Sequence, residues 1–173
     1  MTIESNPSAA SATSKSSRRP PEKILLVDDE PAIRQMLTRL LTAEGYHVLP
    51  AGNGIEALEF AGHTDFNLIL LDLNMPGLDG WDTYEQISSR NPLVPVIIIT
   101  ARPNQRFIAL AAGTGALMEK PLDLEKLFQT IRHLLDEPPE VRLARLSGRP
   151  AEFQYVPPAG REIGKSKRRG KIL

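Results

Sequence analysis

Between residues 23 and 136 five short apolar runs alternate with five amphipathic stretches, and few architectures accept that rhythm. The runs are ILLV (24–27), YHVL (46–49), NLILL (67–71), VIIIT (96–100) and ALM (116–118). They are mostly continuous instead of alternating apolar with polar, the pattern of parallel strands covered on both faces. In the first amphipathic stretch Ile33, Met36, Leu37, Leu40 and Leu41 recur at helical spacing, and Gly45 closes it. In the last, Leu124, Leu127, Phe128, Ile131 and Leu135 share a face, with Asp123 near the start to suit the positive end of the helix dipole. Further helices are expected over 54–62, 81–90 and 104–112. Strand followed by helix, five times over, predicts an α/β fold with a doubly wound parallel sheet and helices on both faces.

In such a sheet ligands bind beyond the carboxyl ends of the strands. The residues falling there are Asp28-Asp29 after the first run, Asp72 after the third, Thr100 after the fourth and Lys120-Pro121 after the fifth. Three carboxylates brought close would raise one another's pKa values, and a divalent cation relieves that repulsion. An all-oxygen donor set suits Mg²⁺. Lys120 adds a compact positive charge able to pair with a carboxylate or a phosphate. A carboxylate so placed can attack phosphorus and carry an aspartyl phosphate. Phosphoryl transfer is mostly positioning and charge neutralisation, so no histidine or cysteine nucleophile is required. His47, His63 and His133 are scattered away from this rim, and the chain has no cysteine.

The remaining composition narrows the class. Absence of cysteine excludes a disulfide scaffold and thiolate zinc sites. No run approaches the roughly 18 apolar residues of a membrane span, and the N-terminus lacks the apolar centre of a secretory signal. A soluble cytoplasmic protein without membrane insertion is expected. The formal net charge is zero, but residues 21–136 carry −7, residues 1–20 carry +2 and residues 137–173 carry +5. Residues 1–21, rich in Ser, Ala and Pro, read as a flexible arm, and 22–136 as the folded domain. Residues 137–173 read as an extension with one helix candidate at 140–146, a cluster of Phe153, Tyr155 and Val156 able to pack, and a basic end, KSKRR; they are too short for an independent domain.

The motifs LLVDDE, LILLDLNMPGLDG, IIITA and MEKP, in this order at successive strand ends, resemble the receiver domains of two-component response regulators over about residues 22–136. That resemblance implies a flavodoxin-like sheet of five parallel strands in the order 2-1-3-4-5. It implies Asp72 as phosphoacceptor, supplied by a sensor histidine kinase or phosphotransfer protein. It also implies Mg²⁺ held by Asp29 and Asp72, by Asp28 largely through water, and by the backbone carbonyl of Asn74. Thr100 would hydrogen-bond the phosphoryl group and act as a switch, Lys120 would contact it, and the Lys120-Pro121 peptide would be cis. Such a chain is a signalling switch acting on a downstream protein target. The resemblance implies no enzymatic activity beyond self-catalysed acceptance and loss of its own phosphoryl group.

Two departures concern output. At Leu117, three positions before the lysine, the family usually carries Tyr or Phe, so the second switch position here has no ring. The interval from Thr100 to Lys120 is also about two residues short, which points to a reduced fourth helix or its loops. Asp79 beside Gly80 reads as a turn residue, and Glu119 as surface charge. Two other function classes fit the sequence less well. A nucleic-acid-associated protein acting through the basic tail lacks a helix-turn-helix pattern and interleaved aromatics. A phosphohydrolase needs a second acid two positions after the nucleophile, where this chain has Asn74.

Overall fold

The computed structural model describes residues 20–149 and 151–160. Most of the expected N-terminal arm and the basic run at 165–169 lie outside the described residues. In chain order the elements are β1 (Lys23–Val27), α1 (Pro31–Ala43), β2 (His47–Ala51), α2 (Gly54–His63), β3 (Leu68–Asp72) and α3 (Gly80–Arg90). They continue with β4 (Val96–Thr100), α4 (Arg106–Ala111), β5 (Ala116–Glu119), α5 (Leu124–Leu135), α6 (Pro139–Leu146) and β6 (Gln154–Val156).

The sheet is parallel throughout, in the order β2-β1-β3-β4-β5-β6. The five-stranded order expected from the resemblance is therefore present, with a sixth strand added beyond β5. Side chains alternate across it as the pleat demands. Leu25, Val27, Ile69, Leu71 and Leu117 face a core closed by Ala57, Tyr84, Ile87 and Ala109 of α2, α3 and α4. Ile24, Leu26, Leu68, Leu70, Ile97 and Ile99 face the other core, closed by Leu37 and Leu41 of α1 and by Leu127 and Ile131 of α5. Burial on both faces is why the central strands read as unbroken apolar runs. Pro50 is accepted in β2 because that strand is an edge.

Helix ends follow local chemistry. Pro31 opens α1, where its missing N–H costs nothing. The Asn53 and Asp123 side chains accept from the amides of Glu56 and Lys126 and cap α2 and α5. The helix expected over 104–112 is cut to six residues, with Asn104 at φ 61 before it, so the short Thr100–Lys120 interval falls on α4 and its entry.

The described residues after Leu135 fold back onto the domain. Glu137 and Arg145, both buried, pair across α6, and Arg142 reaches the carbonyls of Leu134 (2.7 Å) and Leu93 (3.0 Å). Arg145 also donates to the Glu152 carbonyl at 3.1 Å, steering the chain into β6. There Gln154 donates to the Gly115 carbonyl, and Tyr155 and Val156 pair with Leu117 and Met118. Among the described residues no helix is long and apolar enough to cross a membrane.

Candidate functional site

The carboxyl ends of β1, β3, β4 and β5 meet at one rim, and each delivers a polar side chain from an apolar strand. Asp28 follows β1, and Asp72 is the last residue of β3; each is only 1% exposed. Thr100 ends β4 with no exposure. Lys120 follows β5, and its peptide bond to Pro121 is cis.

The Lys120 ammonium joins the two buried acids. Its Nζ lies 2.6 Å from Asp72 Oδ2 and 3.2 Å from Asp28 Oδ2, with Glu30 Oε1 at 3.7 Å. The other oxygen of each acid is held by the backbone two residues on: Asp72 Oδ1 accepts from Asn74 N at 2.8 Å, and Asp28 Oδ1 from Glu30 N at 2.9 Å. Both carboxylates are thus fixed in orientation before anything binds. Asp29, less buried, completes a set whose candidate ligand oxygens all lie within 4.8 Å of one another.

Charge and burial compete here. Desolvation outweighs the attraction of Lys120 and raises the Asp28 pKa above its ordinary value. Burial would lower the pKa of Lys120, but the hydrogen bond and charge of Asp72, with the charge of Asp28, raise it, so the ammonium stays protonated. Three carboxylates against one ammonium leave the rim with an excess of negative charge. Oxygen donors, rigid and undercompensated, are what a hard divalent cation such as Mg²⁺ requires.

Around the acids the loop after β3 is shaped by two glycines. Gly77 sits at φ +84, a region L residues avoid. Gly80 passes so close to the preceding backbone that a Cβ there would lie 2.5 Å from Leu73 Cα and 2.8 Å from Asp72 O. Arg102 ties this loop to the one after β4. Its Nε donates to Asn74 Oδ1 at 2.9 Å, Nη1 lies 3.0 Å from Asp79 Oδ1, and its amide donates to Thr100 Oγ1 at 2.9 Å. Trp81 Nε1 donates to Gln105 Oε1 at 3.0 Å just before α4.

Asp28, Asp29, Asp72, Thr100 and Lys120 are thus brought together. Asn74 is adjacent, its amide on Asp72 and its side chain on Arg102. Leu117 is fully buried in the sheet. Two sequence readings change. Asp79 is not only a turn residue but the partner of Arg102, and Glu119 is not free surface charge: its Oε1 accepts from Tyr155 Oη at 3.0 Å. Arg102 was missed because a loop has no periodicity to betray a contact that links residues 28 positions apart.

The response regulator receiver domain model matches residues 24–132. The chain belongs to the response regulator receiver domain family. A response regulator from Mycobacterium leprae (strain TN), MprA, is 39% identical over 115 residues, 65% of this chain and 50% of the relative. The chain spans about half the length of several curated relatives it matches. A CheY-like receiver domain protein from Methanospirillum hungatei JF-1 superposes with a TM-score of 0.64 at 30% identity, covering 67% of this chain and 94% of that one. The response regulator TrrA from Thermotoga maritima, solved in complex with Mg²⁺-BeF, gives 0.61 at 31% identity, covering 65% and 98%. The receiver domain of the sensor histidine kinase PA1611 from Pseudomonas aeruginosa PAO1, with magnesium in its active-site cleft, gives 0.62 at 28% identity, covering 68% and 99%. The fold is therefore that of the receiver domains of two-component response regulators.

Proposed function

We propose that Asp72 accepts a phosphoryl group from a phosphohistidine on a sensor histidine kinase or phosphotransfer protein, and that the protein is a phosphorylation-dependent switch. The observation carrying this is the Asp72 carboxylate, buried at a strand end, held at one oxygen by the Asn74 amide and at the other by Lys120 at 2.6 Å. An Asp72 oxygen attacks phosphorus, the new O–P bond forms as the P–N bond breaks, and the electron pair leaves with the imidazole, which takes up a proton. Lys120 offsets charge on the transferring phosphoryl oxygens, and Thr100, one strand over, offers a hydroxyl to them once the group is attached.

Asp28, Asp29 and Asp72 fit Mg²⁺ by donor type and mutual distance, with Asn74 as the neighbour whose carbonyl is the fourth candidate. When bound, the ion would neutralise negative charge between the acids and the incoming phosphate. The magnesium in the TrrA and PA1611 structures supports the same assignment here. On this reading the chain turns over no separate substrate; it accepts and loses its own phosphoryl group.

Acetyl phosphate with Mg²⁺ tests the reading without a kinase. Wild type and Asp79→Asn should take up the phosphoryl group, and Asp72→Asn should not. Labelling of Asp72→Asn to the wild-type level would refute the assignment.

A further inference from the structure

Strand β6 brings an aromatic ring to the edge of the rim. Tyr155 pairs in register with Leu117 of β5, and its hydroxyl donates to Glu119 Oε1 at 3.0 Å. Over its ring sits Arg106, the first residue of α4, with Cζ 4.9 Å from the centroid. Glu119 in turn pairs with Thr100, and the next residue, Lys120, donates its amide to the Thr100 carbonyl at 2.8 Å while its ammonium holds Asp72. One ring therefore touches both segments that leave the site: the end of β5 through Glu119, and the entry to α4 through Arg106.

The two ends of the C-terminal segment are held differently. Near α6 it is fixed by the buried Glu137–Arg145 pair and by two carbonyl contacts of Arg142. At β6 it has three residues on a sheet edge, joined to the site by a half-buried tyrosine and an exposed arginine. Helix α4 is itself lightly anchored: it has six residues, Ala109 is its one buried side chain, and Phe107 is 80% exposed. The loop between Thr100 and Arg106 is tied to the acceptor loop by polar contacts of Arg102 and Gln105, so it follows changes at the site while α4 offers little packing against its movement.

We infer that Tyr155 couples the state of Asp72 to α6 and β6, making them a built-in responder of this receiver. The inference rests on Asp72 being the phosphoacceptor. A phosphoryl group there carries a charge of about −1.5 to −2 in place of the carboxylate's single charge, and sets it nearer Thr100 and Lys120. Thr100 Oγ1, now accepting from the Arg102 amide, turns toward the new oxygens and draws the following loop with it. Arg106 then leaves the Tyr155 ring, the cation–ring attraction is lost, and the short edge strand opens more often.

Hydrogen–deuterium exchange on the full chain tests this, reading the amides of 154–156 before and after labelling with acetyl phosphate and Mg²⁺. In wild type, labelling should speed their exchange about threefold, the factor expected from losing one exposed cation–ring contact. Arg106→Gln, at an exposed position, and Tyr155→Phe, which keeps the ring and removes the hydroxyl bond to Glu119, should both label as wild type does. Arg106→Gln should exchange fast in both states, and Tyr155→Phe, whose ring still faces Arg106, should keep the response. A wild type that labels without any change at 154–156, or an Arg106→Gln variant that keeps the full response, would overturn the coupling. A wild type that does not label would instead overturn the phosphoacceptor reading, and the coupling with it.

Discussion

Replacing Asp28 by Asn should make the metal-free protein more stable at neutral pH, although Asp28 is paired with a lysine. Asp29 and Asp72 stand within 4.8 Å of its carboxylate, and Lys120 at 3.2 Å. With an effective dielectric of about 20, each repulsion is roughly 3 kcal/mol and the attraction about 5, so the pairwise terms nearly cancel. Partial exposure of Asp29 weakens its share further. What remains is the cost of ionising a carboxyl that is 1% exposed, and that cost is what raises its pKa above 3.8. Asn keeps an oxygen to accept the Glu30 amide and removes the charge, while Lys120 retains Asp72. A gain of about 1–2 kcal/mol is expected.

The sign follows from the direction of the shift. A carboxyl whose folded pKa is raised gives the folded state stability that is complete below the unfolded pKa and disappears as pH rises through the folded pKa. Wild type therefore loses ground to Asp28→Asn as pH increases from the acid range to neutrality. Urea unfolding in EDTA, followed by Trp81 fluorescence, measures the gap. It should be largest near about pH 7.5, shrink toward about pH 4, and narrow when Mg²⁺ is added, because the ion stabilises wild type more. An Asn variant less stable than wild type in EDTA at neutral pH would contradict desolvation as the dominant influence on Asp28. So would a gap that did not depend on pH.

The clamp under the C-terminal segment gives a second stability test. Arg145→Met leaves the Glu137 carboxylate, 3% exposed, without its main partner and should cost about 3–5 kcal/mol, whereas Arg145→Met combined with Glu137→Met should cost little. A single variant losing less than about 1 kcal/mol in urea titration would contradict a buried pair there. In the loop after β3, Gly80→Ala drives a Cβ into Leu73 and the Asp72 carbonyl and should cost about 1–3 kcal/mol and slow labelling. Gly77→Ala meets no atom within 4 Å and should cost only the positive-φ strain of about 1–2 kcal/mol, with labelling closer to wild type. Equal labelling rates for the two alanine variants would argue against Gly80 shaping the acceptor loop.

The legible part of the molecule was the part whose chemistry is local. Doubly covered strands are apolar throughout, so LILLD ending on an acid marks both the strand and the rim to which it points. Four strand ends in one topology bring Asp28, Asp29, Asp72, Thr100 and Lys120 together without any contact needing to be known. The length deficit between Thr100 and Lys120 likewise announced a reduced α4. Contacts across the fold were not legible. Arg102 lies in a loop without period, and its reach to Asn74 and Asp79 exists only once β3 and β4 are neighbours. Strand β6 has three residues, too few to show a pattern, and forms because β5 offers an edge and the Glu137–Arg145 pair turns the chain toward it. The ring missing at Leu117 and the ring present at Tyr155 are 38 positions apart in sequence and adjacent in the sheet.

Identifying the modified side chain decides whether Asp72 is the phosphoacceptor. Protein labelled with acetyl phosphate and Mg²⁺ can be reduced with borohydride, which converts an aspartyl phosphate to homoserine, then digested and sequenced by mass spectrometry. Asp72 as phosphoacceptor requires homoserine in its place in the peptide spanning 68–80, and at no other aspartate. Homoserine at Asp28 or Asp29 with Asp72 intact, or phosphate found on a histidine or hydroxyl side chain, would contradict it.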